Sequence, residues 1–160
     1  MNATLTVERI ERRLSIDMTS DAEWLRTETQ TFGGELRIVD SMRYSDEDVA
    51  QYGPEQVQAW IAEDHRRYTD FQNGEWWFLD AQAFAIIGVD LAGERVGRIR
   101  SSSMIVGGIE SDADRAYLDE LTDALITEVR EELAARGFTD LDQIETPYVP
   151  SETWIASAIS

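Results

Sequence analysis

Residues 76–89 read WWFLDAQAFAIIGV, and apolar side chains recur in this stretch at every second position. The recurring set is Trp77, Leu79, Ala81, Ala83, Ala85, Ile87 and Val89. This spacing predicts a β-strand, because successive side chains of a strand point to opposite faces of the sheet. We expect it to be the central strand, with three alanines that let a helix pack closely against one face. Trp76 and Phe78 lie on the opposite face, where they form either a second core layer, which we favour, or an exposed aromatic anchor for a partner.

Two further strands are predicted from turn signals. Residues 90–94 include Gly93 and are typical of a hairpin connection into a second strand over residues 95–103. A pair of glycines, Gly33 and Gly34, breaks the chain earlier and precedes an alternating stretch over residues 36–44. That stretch is expected to form a half-buried strand.

The N-terminal residues alternate between polar and apolar, but the parity changes once. The apolar positions are Leu5 and Val7 in one parity and Leu14, Ile16 and Met18 in the other. This pattern predicts a strand with an irregularity near Glu8 or Arg9. A helix through Ile10 and Leu14 is the competing interpretation.

Helices are predicted in two regions. Ser45 is a capping residue for a short helix, and Pro54 suits the first position of the next one, which ends at Asn73. A longer helix is expected from Asp112 to Arg136. Its apolar residues, Tyr117, Leu118, Leu121, Leu125, Val129 and Leu133, recur at steps of three and four, with Ser111 as cap and Gly137 after the end.

These elements together predict one α+β domain over residues 1–160. The domain would be an antiparallel sheet with the long helix of the C-terminal half packed on it and shorter helices at the edge. Residues 147–160 form a mildly apolar tail that contains Trp154. We expect this tail either to dock on the domain or to meet a partner.

The composition restricts the classes of function. The net charge is −18, from 32 acidic residues against 14 basic residues that are all arginine, and cysteine is absent. Disulfides and thiolate metal sites are therefore excluded. The first twenty residues are charged and no apolar run spans a bilayer, so we expect a cytoplasmic protein. Strong acidity disfavours nucleic acid and anionic membranes as direct partners and favours a basic protein; a homodimer is left open.

Several short motifs resemble those of small acidic proteins from actinobacterial phages and related mobile elements. They are GEWWF at residues 74–78, the alanine-rich strand, GIESD at 108–112, Tyr117-Leu118 and Gly137-Phe138, and they cover about residues 70–138. The resemblance implies a mobile-element context and carries over no catalytic residue. The absence of lysine is typical of a GC-rich genome and agrees with that context.

Candidate catalytic and metal-binding groups are few. Glu110, Asp112 and Asp114 could be carboxylate ligands of a divalent cation, but the same residue types are expected at the start of a helix. We favour the helix start. His65 beside Asp64 lacks a companion nucleophile motif, and we expect a packed residue rather than a base. No cofactor, metal site or catalytic residue is predicted; a small carboxylate enzyme using Glu110, Asp112 and His65 is the second alternative function.

Arginine clusters on one predicted strand. Arg95, Arg98 and Arg100 could bind a phosphate or a carboxylate ligand. We expect them instead to neutralise carboxylates nearby on this acidic surface.

The acidic residues suggest the function. Asp112, Asp119, Glu120, Asp123 and Glu131 are expected to form a carboxylate stripe on the long helix, opposite its apolar face. The stripe alone is about four times less densely charged than duplex DNA, so mimicry would also need Asp46, Glu47, Asp48, Glu55, Glu63 and Asp64 on the same side. We expect a non-enzymatic phage or mobile-element accessory protein that binds a basic, nucleic-acid-binding host protein as a DNA mimic or anti-defence inhibitor. The first alternative is an interaction module anchored by Trp76, Phe78 or Trp154, with charge serving only solubility.

Overall fold

The structure, a computed structural model, describes residues 2–41 and 43–149, with the backbone alone for residues 27–30, 32 and 35–41. The strands are β1 (Ala3–Ile16), β2 (Thr27–Phe32), β3 (Glu35–Ser41), β4 (Phe78–Leu91) and β5 (Glu94–Glu110). The helices are α1 (Asp46–Tyr52), α2 (Pro54–Gln72) and α3 (Arg115–Ala135), with short 3₁₀ turns at Glu23–Leu25 and Leu141–Gln143. The predicted α+β class is confirmed.

Chain contacts divide the described residues into two compact units. The sheet unit contains residues 2–18 and 78–149, and the helical unit contains residues 19–77. The single domain expected over residues 1–160 stays a prediction. No helix among the described residues has the length and apolar character that a membrane crossing requires.

The sheet unit is an antiparallel sheet in the order β1-β4-β5, with α3 packed against it. β4 is the central strand, as predicted, although it begins at Phe78 rather than Trp76. Its Ala81, Ala83 and Ala85 are completely buried, which fits the close approach of a helix. The other large buried side chains of this unit include Ile10, Leu14, Leu79, Leu118, Ile126, Val129 and Leu133.

The predicted irregularity in β1 is confirmed. The register with β4 shifts between Val7 and Arg9, so β1 carries one extra residue at this point. The bulge moves the apolar positions of β1 from odd to even numbers while they stay on one face of the sheet. The competing helix through Ile10 and Leu14 is wrong.

β4 and β5 form a long hairpin around a tight turn. Ala92 and Gly93 both have positive φ, 51° and 86°, as the two central residues of a type I′ turn require. β5 continues to Glu110, well beyond the predicted end at residue 103. Three register shifts interrupt its pairing, and the positive φ of Ser102, 56°, falls at one of them. The shifts break the alternation from which a strand is recognised in sequence.

α3 begins three residues later than predicted. Residues 111–113 form a turn after β5, in which Ala113 N donates to Glu110 O. Asp114 then has extended backbone and caps the helix by accepting from Tyr117 N at 2.8 Å, so the predicted Ser111 cap and Asp112 start are wrong. Gly137, with φ 94°, follows the end as expected. Tyr117 is 49% exposed and does not belong to the buried face.

The C-terminal segment lies along the free side of β1. Tyr148 pairs with Arg12 in a parallel bridge, and Val149 N donates to Arg12 O. The described start of the tail therefore docks on the sheet unit. Trp154 lies outside the described residues.

The helical unit contains the β2-β3 hairpin, α1 and α2. Ser45 caps α1 in a reciprocal capping box with Asp48, and Pro54 begins α2, both as predicted. The glycine pair joins β2 to β3, but β3 ends at Ser41 rather than residue 44. β2 was not predicted, because in its sequence TETQTF threonine alternates with Glu28, Gln30 and Phe32, and a single apolar residue gives no periodic pattern.

Candidate functional site

The predicted carboxylate stripe on α3 is only partly available to a partner. Glu120 and Glu131 are exposed and form no ion pair or hydrogen bond with other described residues. Glu131 also lines an open groove of about 560 Å³, to which Asp140 and Asp142 contribute. Asp112 is exposed in the turn that precedes the helix.

Asp119 is bound to the C-terminal segment. Its Oδ1 accepts from the Tyr148 hydroxyl at 2.7 Å and from Arg115 Nε at 2.9 Å. The Tyr148 hydrogen bond, followed by the Arg115 hydrogen bond, lowers the pKa of Asp119. Burial raises the pKa of Tyr148, and so does the negatively charged Asp119 carboxylate that accepts the hydrogen bond of its hydroxyl.

Asp123 is bound as well, through Arg12 of β1. The Arg12 guanidinium donates to Asp123 Oδ1 at 2.7 Å, to Thr122 Oγ1 at 3.0 Å and to both oxygens of Thr146 at 2.9 Å. Both carboxylates are still exposed to solvent, Asp119 by 43% and Asp123 by 64%. They also join α3 to β1 and to the C-terminal segment.

The acidic residues of the helical unit also include carboxylates that have a partner within the protein and carboxylates that have none among the described residues. Asp48 accepts from Ser45 N at 2.8 Å and is a capping residue, and the buried Asp64 pairs with Arg43 at 2.9 Å. Glu63 pairs with Arg66. Of the six residues that mimicry would need, Asp46, Glu47 and Glu55 are exposed and have no such partner among the described residues; the same is true of Glu75 in this unit.

Three aromatic rings lie on or next to the helices that carry these carboxylates, and one of them, Tyr52, lines an open cavity together with Glu55. Tyr44 stacks on Trp60 with a centroid separation of 5.6 Å, and Tyr52 meets Trp60 edge-on at 5.1 Å. Tyr52 is 50% exposed, and α1, which carries it, has no buried residue. We call this set the aromatic–acidic surface; it comprises Tyr44, Tyr52, Trp60, Asp46, Glu47 and Glu55. Its rings were not predicted as a site, because their contact depends on the turn between α1 and α2.

A guanidinium already lies at the margin of this surface. Arg43 lies over the ring of Trp24 at 5.1 Å and over that of Tyr44 at 5.5 Å, while it pairs with Asp64. Burial, followed by the Asp64 carboxylate, raises the pKa of Tyr44. The helical unit therefore already holds an arginine side chain between aromatic rings and a carboxylate.

Two of the three aromatic anchors proposed from the sequence, Trp76 and Phe78, are not at the surface. Trp76 is 2% exposed and its Nε1 donates to Arg67 O, and Phe78 is 4% exposed. Both are core residues, as the favoured interpretation predicted. The remaining anchor, Trp154, is outside the described residues.

The arginine cluster of β5 mostly neutralises carboxylates, as expected. Arg95 pairs with Asp90 at 2.6 Å and also with Glu8, and Arg98 pairs with Glu8 at 2.6 Å. Arg100 differs, because its contact is with the ring of Phe84.

The candidate catalytic and metal-binding groups have separate places in the fold. Asp114 is the α3 cap, Glu110 ends β5, and the half-buried His65 lies on α2. Within residues 2–41 and 43–149, no three acidic, histidine or cysteine side chains are grouped so as to hold a metal ion.

A carboxylate pair that the sequence did not indicate lies at the end of β1. Asp17 Oδ2 accepts from Gly108 N at 3.0 Å, while Asp80 approaches the neighbouring Gly107 from β4. Burial, and then the nearby Asp17, raises the pKa of Asp80. The pair places two negative charges close together in partly buried surroundings.

Comparison with known proteins found no family model, curated protein or solved structure that matches this chain.

Proposed function

We propose that this protein is a non-enzymatic accessory protein that binds a basic segment of another protein through the aromatic–acidic surface of its helical unit. The contact of half-exposed Tyr52 with Trp60 carries this proposal, together with the exposed Asp46, Glu47 and Glu55 of the same two helices, which have no partner among the described residues. Aromatic rings next to free carboxylates suit arginine and lysine side chains, whose cations lie over ring faces while their donors reach acidic oxygens.

The charge of the whole chain supports a basic partner. A net charge of −18 attracts cationic proteins at long range and accelerates their association, whereas it repels nucleic acid and anionic membranes. The rings then supply the short-range contact, because tyrosine, tryptophan and arginine contribute most of the affinity at protein interfaces.

The α3 stripe is a weaker candidate for the same role. Asp119 and Asp123 are bound to Tyr148, Arg115 and Arg12, so contact with a partner would compete with bonds that hold the sheet unit together. Imitation of DNA along α3 is for this reason not the form of binding that we propose. The mobile-element context, and an anti-defence role against a nucleic-acid-binding host protein, rest on the sequence resemblance.

The test uses a synthetic peptide of alternating arginine and serine as the probe and measures binding kinetics at two ionic strengths. The charge variant is D46N/E47Q/E55Q, and its matched control, E120Q/E128Q/E131Q, removes three exposed carboxylates from α3. We expect the first variant to reduce the association rate about tenfold at low salt and the control to reduce it much less. Equal losses would show that net charge alone attracts the peptide.

A second pair of variants tests the rings. Y52A removes a half-exposed tyrosine from the aromatic–acidic surface, and Y117A removes a tyrosine of equal exposure from α3. We expect Y52A to accelerate dissociation and Y117A to leave it unchanged, with circular dichroism confirming that both variants are folded. If Y52A binds like the native protein, the rings have no part in binding.

A further inference from the structure

The outer edge of β5 is open over a long distance. β5 is the last strand in the order β1-β4-β5, so no other described strand pairs with its outer N–H and C=O groups. Proteins often blunt such edges with proline, lysine or a short strand, because an open edge pairs with strands of other chains. β5 is 17 residues long and contains neither proline nor lysine. A further strand can therefore pair with it.

The middle of β5 carries no charge. Residues 101–109 read SSSMIVGGI, and we call them the edge segment. Its central residue, Ile105, is 63% exposed. In a chain of net charge −18, repulsion between two copies is weakest where an uncharged surface is presented. The edge segment is therefore the part of β5 best suited to pair with an apolar strand.

Two bulges of β5 lie symmetrically about Ile105. Between residues 101 and 104, and again between residues 106 and 109, β5 carries one residue more than β4. Each interval contains a residue of positive φ, which is Ser102 at 56° in the first and Gly108 at 72° in the second. Both are three positions from Ile105. Antiparallel pairing of two copies about Ile105 therefore places each bulge opposite a bulge, so the two strands keep a common register.

The charges that bound the edge segment are complementary in the same pairing. Arg100 and Glu110 are each five positions from Ile105, so Arg100 of one copy lies opposite Glu110 of the other. They are aligned with Ile86 and Phe78 of β4, which share one sheet face. Arg100 is exposed, and no described residue forms a hydrogen bond or an ion pair with it. Opposite charges directly across two strands stabilise their pairing.

A recess beside the edge segment matches a side chain of the second copy. The recess has a volume of about 370 Å³ and lies between Val106 on β5 and the side chains of Tyr117 and Leu121 on α3. Met104, two residues from Val106 in the regular stretch between the bulges, points to the same face. Pairing about Ile105 places Met104 of one copy opposite Val106 of the other. The flexible methionine side chain is suited to fill such a recess.

We propose that the edge segment pairs with the edge segment of a second copy, antiparallel and with Ile105 at the two-fold axis, which joins two three-stranded sheets into one. A two-fold interface must be self-complementary, because the same surface lies on both sides. The mirrored bulges, the opposite charges and the recess for Met104 meet this condition, and they favour a second copy over a strand of another protein. The pairing uses the sheet unit and does not depend on the function proposed for the helical unit.

The first test measures association by sedimentation velocity from micromolar to millimolar concentration. We expect native chains to dimerise, and to dimerise more strongly at moderate salt than at low salt, because salt screens the repulsion between two acidic copies. A native chain that stays monomeric at millimolar concentration would overturn the proposal and leave the edge to a strand of another protein.

Matched variants locate the interface. I105R brings two guanidiniums together at the axis, whereas V96R adds the same charge to the same strand, outside the edge segment, at a residue that is 57% exposed. We expect I105R to weaken dimerisation at least about tenfold and V96R not to weaken it. An equal loss in both variants would place the interface elsewhere.

Charge reversal tests the register. R100E and E110R each place like charges opposite one another in their own homodimers, but a mixture of the two variants pairs glutamate with arginine at both ends. We expect each variant alone to dimerise weakly and the mixture to form a heterodimer, with circular dichroism confirming that both are folded. A mixture that associates no better than its components would contradict the register.

A single cysteine tests the axis directly. The native chain has no cysteine, so a disulfide in I105C can form only between two copies. Residues directly opposite in an antiparallel pair have Cβ atoms about 4.5–5.5 Å apart, close to the separation that a disulfide requires. We expect I105C to form a covalent dimer rapidly under mild oxidation, and V96C to form it at least about tenfold more slowly. Equal rates would show that the two Ile105 residues do not meet.

Discussion

The carboxylate of Asp119 accepts a 2.7 Å hydrogen bond from the hydroxyl of Tyr148 and so joins the middle of α3 to the segment that pairs with β1. Arg115 donates to the same carboxylate oxygen and lies over the Tyr148 ring at 4.8 Å. Charge on α3 is therefore partly structural. A carboxylate that appears solvated in a helical projection is here a link between α3 and the segment that pairs with β1.

Replacing Asp119 by asparagine should destabilise the protein at neutral pH by about 1 kcal/mol. The side chain is 43% exposed, so solvent screening limits the effect. Folding lowers the pKa of Asp119 below its ordinary value of 3.8. The stabilisation is therefore complete above pH 3.8 and is lost as the pH falls through the folded-state pKa. Chemical denaturation at several pH values should show the difference between native and D119N proteins shrinking in acid.

The double variant D119N/Y148F tests whether the loss of stability in D119N comes from the hydrogen bond to Tyr148. If Asp119 stabilises the fold through Tyr148, the two single substitutions should not add, and the coupling energy should be largest at neutral pH. Strict additivity at pH 7 would contradict the structural role of this hydrogen bond.

Replacing Asp80 by asparagine should stabilise the protein at neutral pH, which is the opposite of the effect expected for D119N. Burial and the nearby Asp17 raise the pKa of Asp80 in the folded state above its ordinary value of 3.8. Its contribution to stability is therefore complete below pH 3.8 and declines as the pH rises through the folded-state pKa. D80N should raise the free energy of unfolding at pH 7 by about 0.5 kcal/mol and leave it unchanged near pH 3. The exposed substitution E120Q removes the same charge, and an equal gain in E120Q would show that net charge, not Asp17, is responsible.

One substitution in the β4-β5 turn should raise the stability of the protein. Ala92 has a φ of 51°, in the left-handed region that alanine disfavours and asparagine tolerates. With Gly93 following, A92N creates the asparagine–glycine pair typical of type I′ turns. We expect thermal unfolding to show a gain of about 0.5–1 kcal/mol. A92V should lower stability, because a β-branched residue fits this backbone region worst; a gain in A92V would contradict the turn assignment.

Salt should stabilise the whole chain. The net charge is −18, and exposed carboxylates such as Glu120 and Glu131 have no ion-pair partner among the described residues. Their mutual repulsion is screened over about 8 Å at physiological ionic strength. The melting temperature should therefore rise from low to moderate sodium chloride, as calorimetry can measure. A melting temperature that does not change with salt would mean that local ion pairs already offset the repulsion between the carboxylates.

Local signals in the sequence were sufficient for most of the secondary structure. The period-two run ending at Val89 predicted β4, the parity change after Val7 predicted the β1 bulge, and Ser45 and Pro54 predicted the starts of α1 and α2. Each of these signals acts between residues close in the chain. Where the local signal was weak or had two interpretations, the prediction failed: β2 has a single apolar residue, Phe32, and Asp114 rather than Ser111 caps α3.

The candidate surfaces depended on contacts between distant residues. Nothing in the sequence distinguished Glu120, which has no partner in the described part of the chain, from Asp123, whose partner Arg12 is 111 positions away. Arg98 and Arg100 likewise share a strand face, yet one pairs with Glu8 across 90 positions and the other stacks on Phe84.

The presence of the helices, most of the strands and the excess of negative charge could be predicted from the amino-acid sequence, because backbone preferences, side-chain periodicity and net charge are local or additive properties. Which charges are available to a ligand depended on the folded structure. An ion pair or a ring contact forms where the sheet register and helix packing bring two side chains within a few ångströms, and that distance is a property of the whole fold.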